Sequence, residues 1–291
     1  MLGRLWRAPE AGKWPVNTGP YDRFPALGCS YPVPGILEIV LEGPGLNSIG
    51  AEMHRDLATI WTTIDEDPMA SVVVVRGAGK GFSAGGQYEL LESMMHSYES
   101  RTRVMREARQ LVYNLVDCSK PVIAAVHGPV IGAGLAVAVL ADICIASRSA
   151  VILDGHTRLG VAAGDHAVIS WPILVGLAKA KYYLLTNDVL TGEEAARIGL
   201  VARAVEEADV VATAMTVARR ILEQSADATR WTKQTLNHWL RAMAPAFDAS
   251  LALEFYGFGG PDPVEGLAGL RDNRSPGFGE PAEGDASGRR A

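Results

Sequence analysis

Cysteine is scarce: the chain of 291 residues carries only Cys29, Cys118 and Cys144, an odd number with no pair at metal-ligand spacing. That excludes a disulfide scaffold and fits a reducing, cytoplasmic setting. Basic residues are also few, 27 Lys and Arg against 33 Asp and Glu, for a formal charge of -6. Such a balance repels phosphate backbones and anionic lipid, so neither nucleic acid nor a membrane is expected as a partner. Long apolar runs are lacking too. The longest uncharged one, residues 128–141, falls short of the roughly 20 residues that cross a bilayer and reads as a buried helix. The opening MLGRLWRAPEAGKWPVNTG has no apolar h-region and does not read as a secretory signal. Apolar residues, by contrast, make up 48% of the chain and charged ones 21%, a globular composition with ample length for a core.

Strand-like runs at 36–41, 72–76, 121–126 and 143–146 alternate with helical patterns at 51–64, 99–116 and 170–185. This is α/β organisation. From residue 206 the pattern turns helical, at 210–223, 229–243, 247–256 and 263–270. The expected layout is an N-terminal extension over 1–34, an α/β spiral core over 35–205, a helical C-terminal subdomain over 206–278 and a small polar tail over 279–291.

Two strands each run into a glycine turn. VVVVRGAGKGFSAGGQYEL holds the first, at 82–86, and KPVIAAVHGPVIGAGLAVAVLAD the second, at 132–134 opening an apolar helix. Small residues at such turns let backbone N–H groups point outward, and two converging amides at a helix start can stabilise an oxygen that becomes negative. Either turn alone is more often a packing device. Together, F-S-A-G-G followed by K-P-V-I-A-A-V-x-G-x-x-x-G-A-G and A-D-I-C-I-A resemble the crotonase superfamily, the enoyl-CoA hydratase/isomerase family. The likeness runs from about residue 35 to 278 and includes LTGEEAARIGLV and EGLAGLRDNRSPGF.

The resemblance implies a crotonase-like spiral of ββα units, a homotrimer or dimer of trimers, and an acyl-CoA thioester as substrate, with coenzyme A part of that substrate and no separate cofactor or metal. It makes the N–H groups of Ala84 and Ala133 the oxyanion hole. It sets Leu46, Gln87, Tyr88 and Gly132 beside the CoA pocket, with Gln87 departing from the usual Asp. It puts Arg274 and Phe278 toward the nucleotide end of CoA, with Asn273 where a Lys is common. The family's C-terminal helices imply a trimerisation role for 206–278.

The two hydratase glutamates of the family are replaced here, by Ala136 and by His156. An alanine moves no proton, whereas an imidazole titrates near neutrality. Asp165 follows nine residues after His156, and the phrase DGHTRLGVAAGD resembles the His/Asp arrangement of carbon–carbon hydrolases within the superfamily. A carboxylate beside an imidazole orients it and steadies its cation. The expectation is proton or water chemistry by His156, as base or acid, with Asp165 bracing it or acting directly as acid, base or nucleophile, either on an enoyl-CoA or in hydrolysis of a β-dicarbonyl or ring ketone. A non-catalytic acyl-CoA-binding pseudoenzyme is the alternative of another class. Asp154 is expected to stabilise its turn, His127 to bond backbone, His166 to face solvent or a helix end, and Glu89 to sit on a solvated face. Met94, Met95 and Tyr98 line either an acyl pocket or the core.

Overall fold

The computed structural model describes residues 19–278. The tail at 279–291 and the first 18 residues of the expected extension lie outside them.

In chain order the elements are β1 (Leu27–Val33), β2 (Gly35–Leu41), the short kinked α1 (Pro44–Asn47), α2 (Ala51–Glu66), β3 (Ala70–Gly77), β4 (Ser83–Ala84), α3 (Tyr88–His96), α4 (Tyr98–Asp117), β5 (Val122–Val126), β6 (Pro129–Ile131), α5 (Ala133–Leu140), β7 (Ile143–Ser147) and β8 (Val151–Leu153). They continue with α6 (His156–Leu159), α7 (Ala167–Val175), α8 (Leu177–Thr186), β9 (Leu190–Thr191), α9 (Gly192–Ile198), β10 (Arg203–Val205), α10 (Val210–Leu222), α11 (Ala226–Leu236), α12 (His238–Ala242), α13 (Ala244–Gly257) and α14 (Asp262–Arg271).

Six strands form one sheet in the order β1-β2-β3-β5-β7-β10, and four short ones form a second in the order β4-β6-β8-β9. Successive turns of the chain place β3, β5 and β7 in the first sheet and β4, β6 and β8 in the second, each set of three mutually parallel, with β9 antiparallel to β8. Each pair of strands is followed by helix, which is the ββα spiral of the crotonase fold.

The four valines of β3 are explained by burial on both faces. Val73 and Val75 join a large cluster with α2 and α4, whereas Val72 and Val74 join a second cluster with Val210, Ala214, Met215 and Ala218 of α10. A parallel strand covered on both sides needs no polar alternation.

Two expected boundaries shift. Residues 27–33 are not an extension: they form β1, antiparallel to β2, and Tyr21, Phe24, Leu27 and Cys29 are buried in the core. Nor do residues 206–278 stand apart. α10 seals the back of the main sheet, while α13 buries Phe247, Leu251 and Phe255 in the front cluster. Helical periodicity marked these segments correctly but carries no information about which surface their apolar stripes cover. No helix among the described residues is long and apolar enough to cross a membrane.

Candidate active site

The two glycine turns meet. A Cβ at Gly132 would lie 3.3 Å from the Cα of Gly85, and Gly132 has a φ of +58°, so a side chain there would be crowded and its backbone strained. Ala84 ends β4 and pairs with Ile131 of β6. Ala133 is the first residue of α5, where amides have no intrahelical acceptor and the helix dipole is positive. Ala84, Gly132 and Ala133 all line one cavity of about 220 Å³.

The same cavity is lined by His156 and Asp165, as expected, and by Asp154 and Glu254. Gly155, left-handed at φ 86°, turns the chain from β8 into α6. Asp154 Oδ1 accepts both the backbone N–H of His156, at 3.2 Å, and its ring Nδ1–H, at 3.0 Å. The turn-stabilising and ring-bracing roles of Asp154 are thus one arrangement. His156 Nε2 lies 3.4 Å from Asp165 Oδ1 and 3.6 Å from Glu254 Oε1.

Asp165 does not cap α7: the cap position is His166, with no side-chain cap bond. Its carboxylate instead contacts His166 Nδ1 and faces His156. His166, expected to face solvent or a helix end, stands at the start of α7 but fully buried, its Nε2 3.7 Å from Asp154 Oδ2. The two histidines and two aspartates therefore close a ring in which each imidazole faces both carboxylates.

Glu254 was not legible as a site residue. It sits on α13 with Phe247, Leu251 and Phe255, a charged residue on an otherwise apolar buried stripe, and that anomaly is the signal that could have found it. α13 passes Gly164 so closely that a Cβ there would lie 2.6 Å from Glu254 Cβ and 2.5 Å from Ser250 O.

Charge within the cluster is unequal. Burial works against a charged His156, but Asp154, Asp165 and Glu254 outweigh it and hold the imidazole well above its ordinary value. Burial likewise opposes ionised Asp154 and Asp165, yet the neighbouring histidines pull both below the usual carboxylate range. Glu254 goes the other way: burial, reinforced by Asp165 and Asp154, raises it well above a normal glutamate despite His156. The surroundings thus favour the charged forms of His156, Asp154 and Asp165 and the protonated form of Glu254. One ligand atom each from His156, Asp165 and Glu254 falls within 4.8 Å of the others, so these three are also the group among the described residues that could hold a metal ion. The sequence reading contained no such cluster because Glu254 comes from a distant helix.

Tyr88 stands at the cavity mouth with Leu90, Leu91 and Met94 behind it. Gln87 lines an adjoining groove with Tyr88 and Ser48, donating from Nε2 to the Ser48 carbonyl at 3.2 Å. Leu46 is half-exposed and lines neither. Met95 is buried in the core and Tyr98 is exposed, both away from the cavity. Glu89 lines the adjoining groove rather than the cavity. His127 Nε2 meets the Gly79 carbonyl at 2.9 Å, the backbone role expected of it. Arg274 and Phe278 are not brought to the cavity: Arg274 Nη2 pairs with Glu265 at 3.0 Å within its own C-terminal turn. Arg271 is the nearer cation, ion-paired to Glu92 and set 5.4 Å over the Tyr88 ring. Ala136 is buried inside α5 and contributes no polar group.

A family model described as enoyl-CoA hydratase/isomerase matches residues 33–278. The crystal structure of an enoyl-CoA hydratase/isomerase from Mycobacterium paratuberculosis is 32% identical, with a TM-score of 0.80 over 84% of this chain and 97% of that one. An enoyl-CoA hydratase from Mycobacterium avium subsp. paratuberculosis follows at 27% identity and a TM-score of 0.76, over 88% and 99%. The 1,2-epoxyphenylacetyl-CoA isomerase of Escherichia coli is 32% identical over 149 residues, 50% of this chain and 57% of that protein. The chain spans about half the length of the curated relatives it matches. By the extent of the family match and by its spiral fold, the chain belongs to the enoyl-CoA hydratase/isomerase family of enzymes, in the crotonase superfamily.

Proposed function

We propose that the protein processes an acyl-CoA thioester through an enolate, with the thioester oxygen held by the N–H groups of Ala84 and Ala133 and protons moved by the His156–Asp165–Glu254 cluster. One observation carries this reading: two glycine-turn amides and a buried acid–base cluster line the same cavity. Amides fixed at a helix start stabilise the charge that develops on the oxygen without reorganising. His156 serves as the proton donor, braced by Asp154 and Asp165, and Glu254 supplies a second proton. Hydration or isomerisation of an enoyl-CoA, the everyday activities of the family, both need such groups.

Hydrolytic cleavage of a β-dicarbonyl or ring ketone is the second reading. It is favoured by the position of Glu254, whose carboxyl burial raises well above a normal glutamate and whose Oε1 lies 3.6 Å from His156 Nε2, a placement suited to protonating a carbon leaving group. Incubation of the purified protein with a panel of enoyl-CoA thioesters and cyclic diketones, read by mass spectrometry, separates the two by product. Binding without any turnover would support a pseudoenzyme instead. The exposed Leu177, Tyr182 and Leu185 of α8 and Trp231, Leu236 and Trp239 of α11–α12 support a homotrimer or dimer of trimers, checked by light scattering on the eluting protein.

A further inference from the structure

Away from the glycine turns and the His156 cluster, the cavity is walled by apolar side chains, among them Leu90, Met94, Val104, Phe255, Phe258 and Leu270. His54 interrupts that wall. It stands on α2 between buried Met53 and Leu57, and its Nδ1 lies 2.9 Å from Glu107 Oε2 on α4. Glu107 shares a helix face with Val104 and Ala108, both of which line the cavity. Both members of the pair are buried, and Glu107 Oε1 faces Arg103 Nε at 3.7 Å, so each carboxylate oxygen has a partner. The carboxylate accepts from Nδ1–H of His54. The other ring nitrogen, Nε2, makes no hydrogen bond among the described residues, and the ring lines the cavity. A buried polar nitrogen without a partner is costly, and a ligand group that bonds it removes that cost. Volume narrows what the ligand can be: the cavity of about 220 Å³ exceeds the roughly 150 Å³ that encloses one benzene ring, so a single ring on a short linker fits.

We infer that the acyl group taken by this site is ring-sized and bears a hydroxyl, and that His54, held by Glu107, selects it by a hydrogen bond at Nε2. The inference rests on the acyl-CoA reading above. A hydroxyl is the matching group because it both donates and accepts, so it bonds Nε2 whether or not that nitrogen carries a proton. A plain hydrocarbon ring would cover Nε2 and leave it unpartnered, which is how a site built to bond a substrate hydroxyl rejects the analogue lacking it. A carboxylate substituent is opposed by Glu107 behind the imidazole and by Asp165, which lines the same cavity. Glu107 is a positioning residue: it fixes the ring of His54 and acts on the ligand only through it.

The test is the affinity of the purified protein, by isothermal titration calorimetry, for acetyl-CoA, cyclohexylacetyl-CoA and its 3-hydroxy and 4-hydroxy ring analogues. These thioesters carry neither an alkene nor a ring ketone, so binding is read without turnover. Wild type should bind at least one hydroxylated analogue about 10-fold or more tightly than the parent. His54→Leu should erase or reverse that ratio. Glu107→Leu should shrink it, whereas Glu107→Gln, whose carbonyl oxygen still accepts from Nδ1–H, should keep most of it, and this second pair keeps the test open should His54→Leu not fold. A tether between α2 and α4 would instead change Tm and leave the ratio where it was. Equal affinity of wild type for the parent and both analogues, a ratio that persists in His54→Leu and Glu107→Leu, or binding of acetyl-CoA but of none of the ring thioesters would overturn the inference. Failure of wild type to bind all four would instead overturn the acyl-CoA reading itself, so the two failures are distinguishable.

Discussion

Burial opposes a charged His156, yet the three carboxyl groups around it raise the imidazole well above its ordinary value. A group raised in the folded state contributes stability that is present below about 6.5, its ordinary value, and is lost as pH rises through the raised one. Asp154 and Asp165, both lowered, contribute above about 4 and lose that contribution as pH falls. The activity limb due to His156 as an acid therefore lies on the alkaline side. His156→Ala should reduce kcat by about 100-fold or more, and Asp165→Asn should also reduce it and shift that limb to lower pH. The double variant should be little worse than the worse single one, since groups acting as a unit are not additive. Near-wild-type kinetics for both single variants would remove the cluster from the mechanism. Glu254→Gln keeps the volume and removes the carboxyl that burial disfavours in its charged form. Its Tm should exceed that of wild type at pH 7, the gap narrowing as pH is lowered toward 5, while activity falls.

α5 opens the site through its first turn, where residue size is decisive. Ala133→Val should abolish measurable turnover in a protein that keeps its circular dichroism spectrum, because the branched side chain would hold the thioester oxygen away from the Val N–H, and the loss of one oxyanion donor typically costs on the order of 100-fold or more. Gly134→Ala tests packing instead: its Cβ would lie 2.4 Å from Ser83 Cβ, so urea denaturation should report a loss of about 1–3 kcal/mol. Both turns were legible because glycine and alanine in this order leave few alternatives for the backbone. α13 was legible only as a helix. Its part in the site depends on Gly164 admitting it against the Asp165 turn, a long-range contact that local periodicity does not encode. His166 was legible as a helix-end residue, but its burial was not: a histidine before a helix usually faces water, whereas here α7 is apolar and its start is folded inward.

At the scale of the whole molecule, the spiral brings β4, β6 and β8 into one small sheet; residues at or next to these strands supply the amides, Asp154 and His156, and the turn before α7 supplies Asp165 and His166. The family and fold were readable because the glycine turns sit at fixed intervals along that spiral. The reaction was not, because the hydratase glutamates are absent and their substitutes come from segments that meet only in three dimensions. The C-terminal helices belong to the site as well as to the core, so a chain ending before α13 should lose acyl-CoA binding together with stability, as a thermal-shift titration would record. The central claim, an acyl-CoA thioester activated between two glycine-turn amides and protonated by a buried cluster, is tested most directly by mass spectrometry of an enoyl-CoA panel incubated in deuterated water. Solvent deuterium should enter the acyl chain of at least one thioester with wild type and stay near background with Ala133→Val and with His156→Ala. Equal incorporation by all three proteins, or none by folded wild type with any thioester it binds, would contradict it.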